Sequence, residues 1–186
     1  MDEPFTPVRS LAGFLLGAHP GLLDPNFNQS VVLLSAHQRE DGAMGVIINR
    51  PTGNTLGSLR EDLETPFLRN LPLFEGGPVS SSEILLVAWK WNLAQQNFRL
   101  FFGLDPANLQ ELVQADPTIE ARAFLGYAGW SAGQLENEIS RSDWAISPFA
   151  QPFGKLPPQA LWKTLLEAVR PEWTILTDPP GDPSLN

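Results

Sequence analysis

The stretch Arg122-Ala-Phe-Leu-Gly-Tyr-Ala-Gly-Trp-Ser-Ala-Gly-Gln-Leu-Glu-Asn-Glu-Ile-Ser-Arg-Ser-Asp-Trp144 decides the fold, because it predicts a strand, a turn and a short helix in succession. The apolar run within residues 122–127 predicts a strand that is buried on at least one face. Gly126, Gly129 and Gly133 mark positions where the backbone turns or is closely approached, since glycine has no Cβ.

The helix in this stretch is predicted to begin at Ser131. Ser131 and Gln134 have the spacing of a capping box, in which the serine hydroxyl accepts from the Gln134 N–H and the Gln134 side chain reaches back to the Ser131 amide. Leu135 and Ile139 supply the apolar stripe. The free amides favour an anion at this end of the helix. A structural corner is favoured, because the box uses those donors and two glutamates follow.

Four segments occur in a fixed order along the chain. They are Pro-Asn-Phe-Asn-Gln-Ser-Val-Val-Leu-Leu (25–34), Gly-Ala-Met-Gly-Val-Ile-Ile-Asn-Arg-Pro (42–51), Glu-Gly-Gly-Pro-Val (75–79) and Gly-Tyr-Ala-Gly-Trp-Ser-Ala-Gly-Gln-Leu-Glu-Asn-Glu-Ile (126–139). Together they resemble the AlgH/YqgE family of bacterial and plastid proteins over residues 13–169. The resemblance implies a sheet curled into a pseudo-barrel with flanking helices and, through the family name, a role in regulating transcription.

Composition predicts one globular domain over residues 1–186, with a loose arm at 1–10 and a mobile tail at 178–186. Apolar residues make up 42% and charged residues 18%, as in ordinary globular proteins. The chain has no cysteine, which excludes disulfides, thiolate metal sites and a cysteine nucleophile. No signal peptide and no membrane-spanning run are recognisable, so a cytoplasmic location is expected.

The net charge of −9 disfavours direct nucleic-acid binding. Such binding depends on cations clustered in a patch, and the Arg and Lys residues here are scattered singly. A partner protein is therefore the expected macromolecular contact, with a homo-oligomer as a further possibility.

Strands outnumber helices and occur in hairpins, which predicts an α+β domain with a mixed, largely antiparallel sheet. An Asp-Gly pair predicts a hairpin turn at 38–42. Pro51 is expected to end a strand, with loops at 52–55 and 148–158 and a connection at 90–97. The predicted strands are 11–18, 30–37, 43–49, 71–74, 83–89, 98–103 and 143–147, and the predicted helices are a modest one over 56–63, then 106–115 capped by Asp105, and 159–169.

The candidate binding residues lie in three glycine- or arginine-containing segments. The Glu-Gly-Gly-Pro-Val segment can hold an anion on its amides, but a tight turn at a strand end is favoured. Arg50 is equally suited to clamp an anion or to pair with Glu75. The rings beside Gly129 are expected to pack rather than stack on a ligand. The full candidate set is Asn49, Arg50, Glu75, Gly76, Gly77, Tyr127, Gly129, Trp130 and Gln134.

No catalytic residue, metal site or cofactor is predicted. His19 and His37 lack metal-ligand spacing and are expected to be hydrogen-bonded or solvated. No Gly-x-Ser-x-Gly elbow, Walker loop or dinucleotide fingerprint is present. Three hypotheses therefore remain. The first is a non-enzymatic regulatory or protein-interaction module, the second a small-molecule or anion-binding protein or unassigned enzyme, and the third direct DNA binding. One deep pocket shared by the candidate residues favours the second, and loops far apart remove it.

Overall fold

A computed structural model describes residues 10–92 and 97–177 of the chain. In these residues the strands are β1 Phe14–Ala18, β2 Val31–Gln38, β3 Gly42–Ile47, β4 Pro51–Thr55, β5 Pro72–Glu75, β6 Val79–Asn92, β7 Asn97–Leu104, β8 Glu120–Trp130 and β9 Trp144–Pro148. The helices are α1 Pro66–Arg69, α2 Pro106–Ala115, α3 Gln134–Ser140, α4 Gln151–Gly154 and α5 Pro158–Val169.

The strands form one mixed sheet in the order β4-β5-β8-β3-β2-β1-β9, and β6 pairs with both β8 and β7. Only the β5–β8 pairing is parallel within the described part of the chain. The sheet curls, because Phe98 of β7 contacts Phe149 just beyond β9 with ring centroids 5.0 Å apart. It does not close into a barrel. The predicted α+β class and curled, largely antiparallel sheet are confirmed.

Strand β8 organises the sheet, as the opening stretch predicts, but it is longer than predicted. Its first part pairs with β5 and β6, and Ala128 to Trp130 pair with β3. The strand continues through Gly126 and Gly129, so a turn at those glycines is wrong, whereas the predicted alternative of a close backbone approach is confirmed at Gly126. Gly126 has φ +66°, and a Cβ there would lie 2.5 Å from the Gly77 carbonyl oxygen. That glycine therefore permits a close approach of two backbones.

The curled sheet has an inner core and two outer layers. The inner core is filled by the apolar stripe of α5, including Leu161 and Leu165. One outer layer lies under α3 and contains Leu135. The other lies under α2 and contains Leu109. The periodicities that predict the stripes of α3 and α5 are confirmed by these contacts.

Three local predictions are wrong. Residues 51–55 form the edge strand β4 rather than a loop, and proline is tolerated there because an edge strand pairs on one side only. The expected helix over 56–63 is a single 3-10 turn at Leu56–Ser58, followed by α1. The expected connection over 90–97 is shortened, since β6 extends to Asn92 and β7 begins at Asn97.

The other predicted elements are confirmed with small shifts in their bounds. Strands β2 and β3 form the predicted hairpin. Asp105 caps α2, because its carboxylate accepts from the Asn108 backbone N–H at 2.8 Å. The predicted loop 148–158 contains the short helix α4. The expected arm, apart from Ser10, and the expected tail lie outside the described residues.

Candidate functional site

The structure places six of the nine candidate residues in the linings of two pockets, and Asn49, Gly76 and Tyr127 line neither. The first, which we name the seam pocket, has a cavity volume of about 390 Å³ and is lined by Asn26, Ile47, Arg50, Glu75, Gly77, Pro78, Ser81 and Leu125. The second, the corner pocket, has a cavity volume of about 180 Å³, and its lining includes Gly129, Trp130 and Gln134 together with Asp24, Phe27 and Glu138. The loop of residues 24–28 contributes to both pockets.

The seam pocket lies where the two outer layers of the sheet fail to meet. Ile47 belongs to the layer under α3, and Leu125 packs against the layer under α2. Residues 80–83 form a bulge in β6 beside Ile47 and Leu125. The register of β6 against β8 shifts there, since Val79 pairs with Tyr127 and the next paired residue, Ile84, pairs with Leu125. A bulge next to an uncovered apolar surface is a common way of shaping a binding site.

Arg50 holds the loop of residues 24–28 rather than Glu75. Its guanidinium donates through Nη1 to the Asn26 carbonyl at 2.7 Å and through Nη2 to the Asn28 carbonyl at 2.8 Å. Glu75 meets Arg50 only through the backbone, where its N–H donates to the Arg50 carbonyl at 2.9 Å. The alternative in which Arg50 pairs with the Glu75 carboxylate is therefore wrong.

Asn49 fixes the end of the same loop. Its side-chain oxygen accepts from the Val31 N–H at 2.8 Å, and its Nδ2 donates to the Gln29 carbonyl at 2.9 Å. Gln29 has φ +52°, a conformation that needs such support in a residue other than glycine. Asn49 therefore acts on the backbone of the loop, and neither pocket includes it in its lining.

The two glycines of the Glu-Gly-Gly-Pro-Val segment pack tightly against β8. A Cβ at Gly76 would lie 2.2 Å from the Gly126 oxygen, and one at Gly77 would lie 2.2 Å from the backbone carbon of Tyr127. The Gly76 N–H donates to the Leu125 carbonyl at 2.7 Å. These contacts favour a structural role for the segment over anion binding, since the glycines are needed for the close approach of its backbone to β8.

Glu138 is the hydrogen-bonding centre of the corner pocket, and sequence reasoning missed it. Its Oε2 accepts from the indole N–H groups of Trp130 at 2.7 Å and Trp144 at 2.8 Å. Its Oε1 accepts from the Gln134 side chain at 3.0 Å. The spacing of Gln134 and Glu138, four apart on a helix, is a sequence signal for their contact. The pairing of one carboxylate with two indoles has no such signal.

Trp130 and its neighbouring rings pack, as expected. Trp130 is 6% exposed, and its ring centroid lies 5.9 Å from that of Trp144 and 6.2 Å from that of Phe27. Tyr127 packs against the inner core. Since Phe27 belongs to the loop of residues 24–28, this cluster gives the loop a second anchor besides Arg50.

The helix corner is built differently from a full capping box. The Gln134 side-chain oxygen accepts from the Ser131 N–H at 3.0 Å, as predicted. The Ser131 hydroxyl donates to that same oxygen instead of accepting from the Gln134 N–H, whose acceptor is the Ser131 carbonyl. The residue preceding the helix is Gly133, with φ +72°. The turn therefore depends on glycine, and the serine is held by the glutamine.

Both histidines are hydrogen-bonded. His37 Nδ1 accepts from the Leu11 N–H at 3.0 Å, so its Nε2 carries the proton that is donated to Glu136 at 3.0 Å. His19 Nδ1 accepts from the Gly21 N–H at 2.9 Å. Within residues 10–92 and 97–177, no group of three or more His, Cys, Asp and Glu residues is placed to hold a metal ion.

Arg122 is a half-buried cation on the inner face of the sheet, and it lines neither pocket. Its guanidinium lies 4.7 Å from the Phe74 ring centroid and 5.0 Å from that of Trp89, and Nη1 donates to the Ile48 carbonyl at 3.1 Å. Burial lowers the pKa of Arg122 from its ordinary value. The two rings stabilise this charge through cation–π contact.

The polar groups of the two pockets differ in whether they already have partners. In the seam pocket, the Ser81 hydroxyl has no side-chain base as a hydrogen-bond partner among the described residues. In the corner pocket, Asp143 is paired with Arg141 at 2.7 Å, and Glu138 accepts three side-chain hydrogen bonds.

No helix in the described residues is long and apolar enough to cross a membrane.

Comparison with known proteins supports the predicted resemblance. A family model described as AlgH-like matches residues 15–174. A UPF0301 protein of Streptomyces coelicolor is 36% identical over 194 residues, which covers 97% of this chain and 98% of that protein. A UPF0301 protein of Coxiella burnetii is 36% identical over 143 residues, covering 75% of this chain and 77% of that protein.

Two solved structures have the same fold as this chain. The solution structure of the AlgH protein from Pseudomonas aeruginosa has a TM-score of 0.65 and 27% identity, covering 98% of this chain and 100% of that one. A crystal structure of a Corynebacterium diphtheriae protein has the same fold, with a TM-score of 0.65 and 22% identity over 95% of this chain and 93% of that one. On the family match and the relatives together, this chain belongs to the AlgH-like family.

Proposed function

We propose that this protein is a non-enzymatic, cytoplasmic regulatory module that binds a partner protein through the loop of residues 22–28, with any effect on transcription being indirect. The observation that carries the proposal is Leu23, whose side chain is 83% exposed in a loop that is otherwise firmly anchored. Arg50 holds the loop through the Asn26 and Asn28 carbonyls, and the Phe27 ring packs on two tryptophans. Binding through a preorganised loop costs little conformational entropy.

A second segment with exposed apolar side chains contacts the residues that precede this loop. The His19 ring packs on Trp173 with centroids 4.5 Å apart, and the Leu22 N–H donates to the His19 carbonyl at 2.9 Å. The segment that follows Trp173 exposes Ile175 by 81% and Leu176 by 61%. Large apolar side chains exposed on two touching segments are typical of interaction surfaces rather than of scattered surface residues.

The partner is identified by crosslinking in cells, purified, and titrated against this protein by calorimetry. Leu23→Asp and Ile175→Asp are expected to weaken binding by about tenfold to a hundredfold, since burial of one such side chain is worth about 1.5–3 kcal/mol. Leu59→Asp is the matched control, because Leu59 is 51% exposed elsewhere. Unchanged binding by both Leu23→Asp and Ile175→Asp contradicts the proposal. Sedimentation of the protein alone tests whether the partner is a second copy.

A second candidate function is the binding of a small molecule in the seam pocket. Its cavity volume of about 390 Å³ and its mixture of apolar and charged lining favour this function. Against it, the candidate residues do not share one deep pocket, because Gly129, Trp130 and Gln134 lie in the corner pocket. Direct DNA binding receives no comparable support, since the net charge is −9.

A further inference from the structure

We propose that the seam pocket binds a free apolar α-amino acid, with its carboxylate at Arg50, its ammonium group at Glu75 and its side chain against Ile47 and Leu125. This inference rests on the second candidate function, small-molecule binding in that pocket. It names the chemical class of the ligand from the charges and the apolar surface that line the cavity.

Both charged side chains of the seam pocket, Arg50 and Glu75, lack a partner of opposite sign among the described residues. The Arg50 guanidinium has five N–H donors, and its two observed hydrogen bonds go to neutral carbonyl oxygens. Among the described residues it forms no ion pair with a carboxylate. The Glu75 side chain is exposed and accepts no hydrogen bond from another described side chain.

Arg50 and Glu75 are neighbours in the strand pairing but do not form an ion pair with each other. Arg50 and Glu75 directly flank the β4–β5 pair Pro51–Phe74, so they are neighbours across two strands. Such neighbours of opposite charge commonly form an ion pair. Here the guanidinium is directed to the carbonyls of Asn26 and Asn28 instead. The pocket therefore presents a positive and a negative group side by side.

The two opposite charges favour a ligand that carries both signs. A ligand with one charge pairs with one of the two groups and leaves the other without an ionic partner beside it. A zwitterion satisfies both. The ammonium and carboxylate groups of an α-amino acid are joined through one carbon, which matches two opposite charges carried by neighbouring strands.

The apolar lining gives the remaining preference. Ile47 is 1% exposed and therefore lies at the bottom of the pocket, and Leu125 is half-buried beside it. The cavity volume of about 390 Å³ is at the lower end of the range for ligand sites, about 300–1,000 Å³. A small ligand with one aliphatic side chain fits this space and surface.

The test is calorimetric titration of the full chain with L-leucine, 4-methylpentanoate and 3-methylbutylamine. These probes share one aliphatic group and differ only in whether they carry both charges, the negative one or the positive one. L-leucine is expected to bind saturably, and each singly charged probe about tenfold to a hundredfold more weakly, as for the loss of one charge-assisted hydrogen bond. Equal affinity for a singly charged probe overturns the zwitterion assignment.

Variants locate the binding. Glu75→Gln is expected to weaken L-leucine binding at least about tenfold and to leave 4-methylpentanoate binding unchanged. Glu64→Gln is its matched control, since Glu64 is exposed and does not line the pocket. Ser81→Trp fills the pocket from an exposed position and is expected to abolish binding.

The outcomes separate the two proposals. If a singly charged probe binds as well as L-leucine and Ser81→Trp removes both, the pocket is a ligand site and the amino-acid assignment is wrong. If Glu75→Gln binds L-leucine like the wild type, the assignment is also wrong. If no probe binds, the amino-acid assignment is wrong, whereas small-molecule binding in this pocket is contradicted if binding persists in a folded Ser81→Trp variant.

Discussion

Replacement of Glu138 by alanine is expected to destabilise the protein more than any other single loss of charge at its surface. Both indole N–H groups that donate to Glu138 belong to buried rings, since Trp130 is 6% exposed and Trp144 is 3% exposed. The Oε2–Nε1 distances of 2.7 and 2.8 Å indicate strong hydrogen bonds to a charged acceptor. Alanine at this position leaves two buried N–H groups without a partner.

The magnitude follows from those two bonds. A hydrogen bond to a charged group contributes about 1.5–3 kcal/mol, and a stranded buried donor costs about 1–3 kcal/mol. The effects are not additive, because one water molecule can reach both indoles, so we expect Glu138→Ala to lower the free energy of unfolding by about 3 kcal/mol. For a chain of this length, that loss lowers the melting temperature by about 6–12 °C. Glu138→Gln retains a carbonyl oxygen and is expected to cost about 1 kcal/mol.

The assay is urea unfolding followed by tryptophan fluorescence, together with the indole ¹⁵N–¹H resonances of Trp130 and Trp144. Both resonances are expected to shift in Glu138→Ala. Glu111→Ala on α2 is the control, because Glu111 is exposed. A change within about 0.5 kcal/mol is expected there. If Glu138→Ala costs no more than Glu111→Ala, the carboxylate does not hold the two indoles and the reasoning is refuted.

Three further predictions address the turn, the amino-terminal segment and the response to acid. Gly77→Ala should cost about 3 kcal/mol or more in urea unfolding, because its Cβ would lie 2.2 Å from a backbone carbon of β8. Gly133→Ala has open space around its Cβ and should cost about 1–2 kcal/mol from its positive φ alone, so equal costs would contradict this account. His37→Ala should speed hydrogen exchange at the Leu11 amide, whose acceptor is the His37 ring, and unchanged exchange would show that the bond does not protect that amide. Hydrogen bonds from a lysine and a threonine lower the pKa of Asp116 from 3.8 to about 2, so its contribution to stability is present above pH 3.8 and is lost as the pH falls toward 2. Asp116→Asn should therefore flatten the pH dependence of unfolding in that window, and an unaltered acid profile would exclude the contribution.

Much of the local structure was predictable because its causes lie within a few residues. The Asp-Gly pair at 41–42 and the apolar runs on either side predict the β2–β3 hairpin, which the structure confirms. Asp105 and the following proline predict the start of α2, also confirmed. The errors at Pro51 and at residues 56–63 arose where pairing with β5 or packing against α1 overrides local preference.

The candidate site was predictable only in part. Arg50, Glu75 and Gly77 do line one pocket, but Asn49 supports the backbone of a loop, and the aromatic corner forms a separate pocket. No pattern in the sequence of residues 24–28 indicates that this loop contributes to two separate pockets. Its position depends on the carbonyls that Arg50 binds, and such contacts between residues more than twenty positions apart leave no periodic trace in the sequence.

The sequence by itself therefore determined the succession of a strand and a helix within Arg122–Trp144, the family and the absence of cysteine chemistry, because these depend on residue type and short-range spacing. The tertiary structure decided that Glu138 would bind two indoles and that Arg50 and Glu75 would share a pocket without pairing. The physical reason is the order of strands in the sheet. Long-range pairing of β8 with β3, β5 and β6 brings distant loops together, and that pairing is set by the packing of the whole core.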